Sequence, residues 1–322
     1  MSFFSIRTKA EDNDQPGPEK GDNLVFVTPK SLIDLRRAGE SLLLKASRIA
    51  SQQSGNYLSR FKGRGMEFDE ARPYLPGDDM RTLDWRVTAR TGKPHTKLFR
   101  EERERSVLTW VDMRPTMFFA TRGVFKSVLA AQAAALIAWS TNKLGDRLGG
   151  LVFNAENHHE SRPRHGKTAV LQMLQQLSAA SQWRSQYNEQ EPDASTALAR
   201  LRRVAKPGSL IFLISDFRNL GSQAESHLSE LARHNDVVML HIYDELECTL
   251  PDKGQYQVSW GQRKSSFNGT SRTTQNKHQQ LFVEHQDRLR SLCRLPGMHY
   301  ISCATHEDIL ATLQAGLGIN RK

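Results

Sequence analysis

The strongest constraint on the fold is one short run, Ser209–Ile214 (SLIFLI), apolar almost throughout. A strand with one wet face alternates apolar and polar residues, whereas a nearly continuous apolar run is covered on both faces, as in the centre of a parallel sheet. Strand signals of similar kind lie at Ser106–Val111, Arg147–Phe153, Asp236–Tyr243 and Met298–Cys303. Between and after them, helical patterns cover Phe125–Leu144, Lys167–Ala180, Thr196–Val204, Ser222–Arg233, Gln275–Leu292 and Glu307–Leu317. Strands alternating with helices predict an α/β fold with a doubly wound, mostly parallel sheet. The polar, irregular stretch 247–273 is expected to be an insertion or a small hairpin.

Ahead of this pattern the chain changes character. Residues 1–22 are rich in Asp, Glu, Pro and Gly and are expected to be disordered. Thr28 and Pro29 read as the N-cap and first position of a helix. Leu32, Leu35, Ala38, Leu42, Leu43 and Ala46 keep a helical period through about residue 50. The expected division is therefore 1–22, an N-terminal helix and extension over 23–105, and an α/β domain over 106–322.

Composition excludes several classes. The 322 residues are 38% hydrophobic and 25% charged, ordinary for a globular protein. The longest apolar stretch, Val128–Trp139, would span roughly 18 Å as a helix, too short for a bilayer core of about 30 Å. No membrane insertion is expected, and the N-terminus does not read as a signal peptide. Cys248, Cys293 and Cys303 have neither paired nor metal-ligand spacing, which suits a reducing, cytoplasmic setting. The net charge of +10 suggests nucleic acid. However, the bases are interleaved with acids, as over Arg100–Arg105, and the tight group Arg60, Lys62 and Arg64 has no aromatic ladder beside it. No nucleic-acid partner is expected. His158, His159 and His165 read as solvated loop residues, and Gly145, Gly149 and Gly150 as packing glycines at a strand rather than a phosphate cradle.

Two strands end in an acid, at Asp112 and Asp216, and Ser195-Thr196 stands between them just before a helix. In a doubly wound sheet, sites form at the carboxyl ends of the strands. Acids and hydroxyls converging there suit a hard divalent cation such as Mg or Mn; the same residues are also common helix caps.

The segment from Gly63 to Glu102 carries a denser signature. Glu67-Phe68, Arg72-Pro73-Tyr74, Pro76-Gly77-Asp78-Asp79, Arg81, Asp84-Trp85 and Thr88-Ala89-Arg90 closely resemble the hallmark of the domain-of-unknown-function 58 family. The resemblance implies a von Willebrand factor A-like domain that binds proteins without catalysing a reaction. It implies a MoxR-type AAA+ ATPase as partner, with other A-like proteins as further candidates, in the assembly or maturation of complexes. It also implies a metal-ion-dependent adhesion site in which Asp112 takes the first position, Thr116 the second hydroxyl, Thr196 the middle threonine and Asp216 the later acid. The departure is Arg114, which stands where a Ser ligand belongs. A guanidinium there is expected to replace the metal by bridging both carboxylates; the alternative is a solvent-facing Arg114 with metal held by the remaining ligands. Within the hallmark, Asp78, Asp79 and Asp84 among Arg72, Arg81, Arg86 and Arg90 predict a charge-assisted network, with Trp85 buried as its anchor.

An enzyme reading competes. Asp112 to Thr116 also resembles the Asp-x-Asp-x-Thr motif of haloacid dehalogenase-type phosphatases, with Ser215 as the second-motif hydroxyl. Arg114 replaces the general acid, though, and Asp78-Asp79 precedes the first strand instead of following the last. Catalysis is not expected.

Overall fold

A computed structural model describes residues 5–6, 22–42, 44, 66–75, 78–101, 105–182, 194–260 and 263–318. The chain divides into two compact units, Met1–Ala46 with Arg105–Lys322, and Ser47–Glu104.

In the larger unit, β4 (Ser106–Asp112), β5 (Arg147–Phe153), β6 (His158–Arg164), β7 (Leu210–Ser215), β8 (Asp236–Tyr243) and β11 (Met298–Ala304) form one sheet in the order β11-β8-β7-β4-β5-β6. All neighbours are parallel except β5 and β6. The chain starts in the centre at β4, builds out to β6, then returns to the other side of β4 for β7, β8 and β11. The order therefore reverses between β4 and β7, where the carboxyl ends of neighbouring strands diverge and leave a crevice. The expected doubly wound, mostly parallel sheet is present.

Alternate residues of each strand serve opposite faces. Val107, Val111, Phe212 and Ile214 pack on one face with α4 (Lys126–Lys143), α5 (Lys167–Ser181) and α10 (Ile309–Gly316). Leu108, Trp110, Ile211 and Leu213 pack on the other with α6 (Ala194–Val204), α7 (Ser222–Ala232) and α9 (Arg272–Leu292). Helix α4 is buried nearly all round, because α1 (Pro29–Asp34) and α2 (Arg36–Ser41) cover the side turned from the sheet. The approach is close: a Cβ on Gly39 would lie 2.7 Å from the Trp139 Cβ, and Trp139 Nε1 donates to the Leu32 carbonyl at 3.1 Å.

Several expectations need correction. The N-terminal helix groups with the α/β unit and not with the hallmark segment, since Leu32 and Leu42 belong to that core. It is two short helices broken at Leu35, and it stops at Leu42, whose backbone is extended and whose carbonyl accepts the Ser140 hydroxyl. Residues 45–50 lie outside the described residues, as do 1–4 and 7–21 of the segment expected to be disordered. Within that segment β1 (Ser5–Ile6) pairs with β9 (Gln255–Trp260), because the outer edge of a hairpin offers it backbone partners. That hairpin, β9 with β10 (Arg263–Asn268), and the short helix α8 (Glu245–Cys248) fill much of the insertion, but α9 begins at Arg272. His158 and His159 lie in the edge strand β6, not in a loop. Gly149 admits that strand: its Cβ would lie 2.7 Å from the Ser161 carbonyl.

The smaller unit holds β2 (Met66–Pro73) paired antiparallel with β3 (His95–Glu101), a 3-10 turn at Met80–Thr82, and α3 (Trp85–Thr91).

Candidate functional site

The crevice between β4 and β7 carries a concentration of buried charge. Asp112 ends β4 and is fully buried. Two residues on, Arg114 is buried as completely and turns back onto it. Its backbone N–H and its Nε donate to Asp112 Oδ1, both at 2.9 Å, and its Nη2 donates to Oδ2 at 2.7 Å. Ser215, at the end of β7, donates its hydroxyl to the same Oδ2 at 2.7 Å and accepts the Phe217 N–H at 2.9 Å. Phe217 and Asn219 have φ of 53° and 58°, so the loop leaving β7 turns sharply. That turn brings the Arg218 carbonyl within 3.3 Å of Arg114 Nη2. The guanidinium also lies over the Phe153 ring, 5.8 Å from its centre.

Asp216 belongs to a second cation. Lys126, at the start of α4 and 1% exposed, donates to Asp216 Oδ2 at 2.9 Å and to Glu247 Oε1 at 2.7 Å. Arg218 lies 3.1 Å from the same Glu247 oxygen, and its backbone N–H donates to Asp216 Oδ1. Burial by itself raises the Asp216 carboxyl, but Lys126, then Arg218 and Arg114, outweigh it and hold the group well below the usual range. Burial opposes charge on Lys126 too, yet Asp216 and Glu247 keep its ammonium above the ordinary value. The expected bridge from Arg114 to both carboxylates is therefore corrected. The fork is filled by Asp112 and the Arg218 carbonyl, and Asp216 has a lysine of its own.

The other expected ligands are divided. Thr116 is buried in a 3-10 turn, and its hydroxyl lacks a hydrogen-bond partner among the described residues. Thr196 stands exposed in the first turn of α6, while its neighbour Ser195 is the buried one. No cluster of three or more His, Cys, Asp or Glu among the described residues is arranged to hold a metal ion. A divalent cation does not fit here: both oxygens of Asp112 already accept donors, and Asp216 is ion-paired.

Two clusters flank the crevice. Asp244 is buried and accepts the Thr121 N–H and hydroxyl, the Thr305 hydroxyl and the Leu246 N–H, which ties the loop before α4 to β8 and β11. Burial raises this carboxyl, and those donors, Thr121 first, bring it below its ordinary value. His241 on β8 is buried against Tyr300, His285, Phe282 and Tyr243, with the Tyr300 hydroxyl at 2.8 Å. Burial, then the neighbouring His285, pushes it well below 6.5. On the β5 side a cleft of about 160 Å³ opens with a mixed lining, Met113, Pro115, Phe118 and Ala155 beside the polar Asn157 and His159.

In the hallmark segment the expected network is only partly formed. Arg72 pairs with Asp78 at 2.8 Å, and Asp78 also accepts the Leu75 N–H. Asp79 instead caps the 3-10 turn, and Asp84 caps α3 by accepting the N–H groups of Arg86 and Val87. Arg81, Arg86 and Arg90 are exposed. Trp85 is 70% exposed, so burial of its ring is not what anchors the segment. Tyr74 is half-buried, and its N–H donates to the Pro94 carbonyl. Glu67 lies in β2; Pro76 and Gly77 lie outside the described residues.

Sequence reasoning missed Lys126, Glu247 and Arg218. One signal was available: a lysine at the head of an Ala-rich, otherwise apolar helix, where the helix dipole disfavours a cation.

Fold and site together define an α/β protein whose switch-point acids are closed by cations of its own chain. It belongs to the family described as "Protein of unknown function DUF58", whose model matches residues 70–288. An uncharacterised protein of Mycobacterium tuberculosis strain H37Rv is 32% identical over 200 residues, 62% of each chain, and one of Mycobacterium bovis matches to the same extent. The match thus spans under two thirds of these relatives. Among solved structures, the conserved hypothetical protein BatB from Bacteroides thetaiotaomicron has a TM-score of 0.41 at 13% identity, covering 66% of this chain and 97% of that one. The SpRpn10 VWA domain has a TM-score of 0.36 at 10% identity, covering 68% and 100%. At these scores the likeness adds nothing to the topology described above. No helix among the described residues is long and apolar enough to cross a membrane.

Proposed function

We propose that this chain is a non-enzymatic protein-binding adaptor that works with a MoxR-type AAA+ ATPase in the assembly or maturation of complexes. The observation that supports this best is the closure of Asp112. A phosphatase nucleophile needs a free carboxylate oxygen and a second acid two residues on. Here both oxygens accept hydrogen bonds, the residue is buried, and the position two residues on is the arginine that closes it. With Asp112 closed, the edge still presents a surface, and the cleft beside it, apolar at Pro115 and Ala155 and polar at Asn157 and His159, suits an amphipathic anchoring side chain of a partner. The ATPase enters through the family resemblance.

The test is crosslinking and affinity purification of the full chain from its source cells, with Ala155→Glu as the matched control. A bulkier, charged side chain placed in an anchoring cleft costs roughly tenfold or more in affinity. The expected result is an AAA+ ATPase recovered with the wild type and depleted about tenfold with the variant. Recovery of no ATPase, or equal recovery by both chains, overturns the proposal.

A further inference from the structure

We infer that the carboxyl edge carries permanent cations in place of a divalent metal, the Arg114 guanidinium serving Asp112 and the Lys126 ammonium serving Asp216 and Glu247, so that its binding surface is formed without metal.

Three observations carry this. The first is charge balance. Asp112, Asp216 and Glu247 face Arg114, Lys126 and Arg218, one base for each acid, in a place where all but Arg218 are nearly or wholly buried. A divalent ion entering this cluster would add two charges with no counter-ion, and uncompensated charge in a low-dielectric interior is strongly disfavoured.

The second is occupancy. Magnesium binds oxygen at about 2.1 Å and calcium at about 2.4 Å, and either needs a carboxylate lone pair turned toward it. Asp112 directs its oxygens at the Arg114 N–H, Nε and Nη2 and the Ser215 hydroxyl, over 2.7–3.1 Å. A metal could take them only by expelling the guanidinium, whose planar fork is held on its far side by the Arg218 carbonyl and over one face by Phe153.

The third is the orphan hydroxyl. Thr116 Oγ1, two residues beyond Arg114, is buried without a partner among the described residues. In the adhesion site that the family resemblance implies, Thr116 takes a ligand position, and Arg114 supplies a charge where a ligand oxygen would stand. One hydroxyl alone does not make a site, but it does make the site recoverable: Arg114→Ser would remove the resident cation and supply the missing oxygen beside Thr116. By contrast, the lysine pocket is not recoverable by one change, because Lys126 holds two acids at once.

The experiment is a manganese titration of the full chain, followed by calorimetry and by loss of the free-ion electron paramagnetic resonance signal. The wild type should bind no manganese at millimolar concentration, and its melting temperature should be the same with manganese and with a chelator. Arg114→Ser should bind about one ion per chain and gain thermal stability on binding it, as any ligand specific to the folded state confers. Stoichiometric manganese binding by the wild type, or a chelator-induced drop in its melting temperature, overturns the inference whether or not the variant folds. A folded Arg114→Ser that binds no more than the wild type overturns the claim that the guanidinium stands for the metal. No partner protein is present, so failure here is separate from failure of the adaptor proposal.

Discussion

The carboxyl edge of the large sheet and the hallmark segment of the smaller unit are composed of the same residues, aspartates and arginines beside aromatic rings, yet they end in opposite states. At the edge, Asp112 and Asp216 each meet a buried base, Asp244 is satisfied by hydroxyl and N–H donors, and the Phe153 ring packs against Arg114. In the hallmark, Asp79 and Asp84 turn to backbone N–H groups, three arginines stand in solvent and Trp85 is exposed. The difference follows from where the backbone puts them. An ion removed from water must be matched by an opposite charge or by enough hydrogen-bond donors, so the edge closes acid by acid. An ion left in water, as Asp79 is, gains little from pairing, so a short aspartate is more useful as a helix cap; the buried Asp84 is matched by the two N–H groups it caps.

This comparison can be broken at its strong end first. Lys126→Met leaves the buried Asp216 and Glu247 with only the partly exposed Arg218 as a base and should cost about 3–5 kcal/mol in chemical denaturation; a loss below about 1 kcal/mol would place the edge in the same regime as the hallmark.

Acid sharpens it next. His241 and His285 both have folded values lowered from 6.5, by burial first. The unfolded chain therefore binds more protons below that pH, and stability must fall as pH falls, by up to roughly 1.4 kcal/mol per pH unit for each histidine. Asp216 and Asp244 are lowered as well, so their contribution persists through this range and is lost only as pH drops below the ordinary carboxylate value of 3.8. Denaturation curves from pH 7 to 5 should show the decline in the wild type and a shallower one in His285→Asn. A flat profile over that range would contradict the burial of the pair.

The hallmark should respond less. Asp84→Ala removes an N-cap with two accepted hydrogen bonds and should cost about 1 kcal/mol, read as faster amide exchange confined to the first turn of α3. Trp85→Ala is the smallest change, within about 0.5 kcal/mol, because an exposed ring has little apolar contact to lose. A melting temperature several degrees lower in that variant would restore the anchoring role that the composition suggested.

How much of this was legible in advance depends on the range of the interaction. The acids at 112 and 216, the arginine between the ligand positions and the alternation of strands with helices are local facts, and the strand ends place the first two at one edge. The pairing of Arg114 with Asp112 is also local, two residues apart. Lys126 with Asp216 and Glu247 joins positions 90 and 121 residues distant, and no local pattern predicts which acid a lysine will meet. The burial of Trp85 failed for a related reason, since an aromatic residue in a charged segment is equally consistent with an anchor and with an exposed surface. Strand β6 was missed because its residues, HHESRPR, are polar on both sides, as an edge strand in water permits.

The sequence by itself determined the layer architecture, since apolar runs of strand length alternating with helical periods can be buried in few other ways, and it placed two acids and a guanidinium at the carboxyl edge. Only the tertiary structure decided how those charges are shared. Register and crossover bring β4, β7, the head of α4 and the loop after β8 within hydrogen-bonding distance. A low-dielectric interior then requires that each acid carried there find a base, or enough hydrogen-bond donors as Asp244 does, from whichever element arrives beside it.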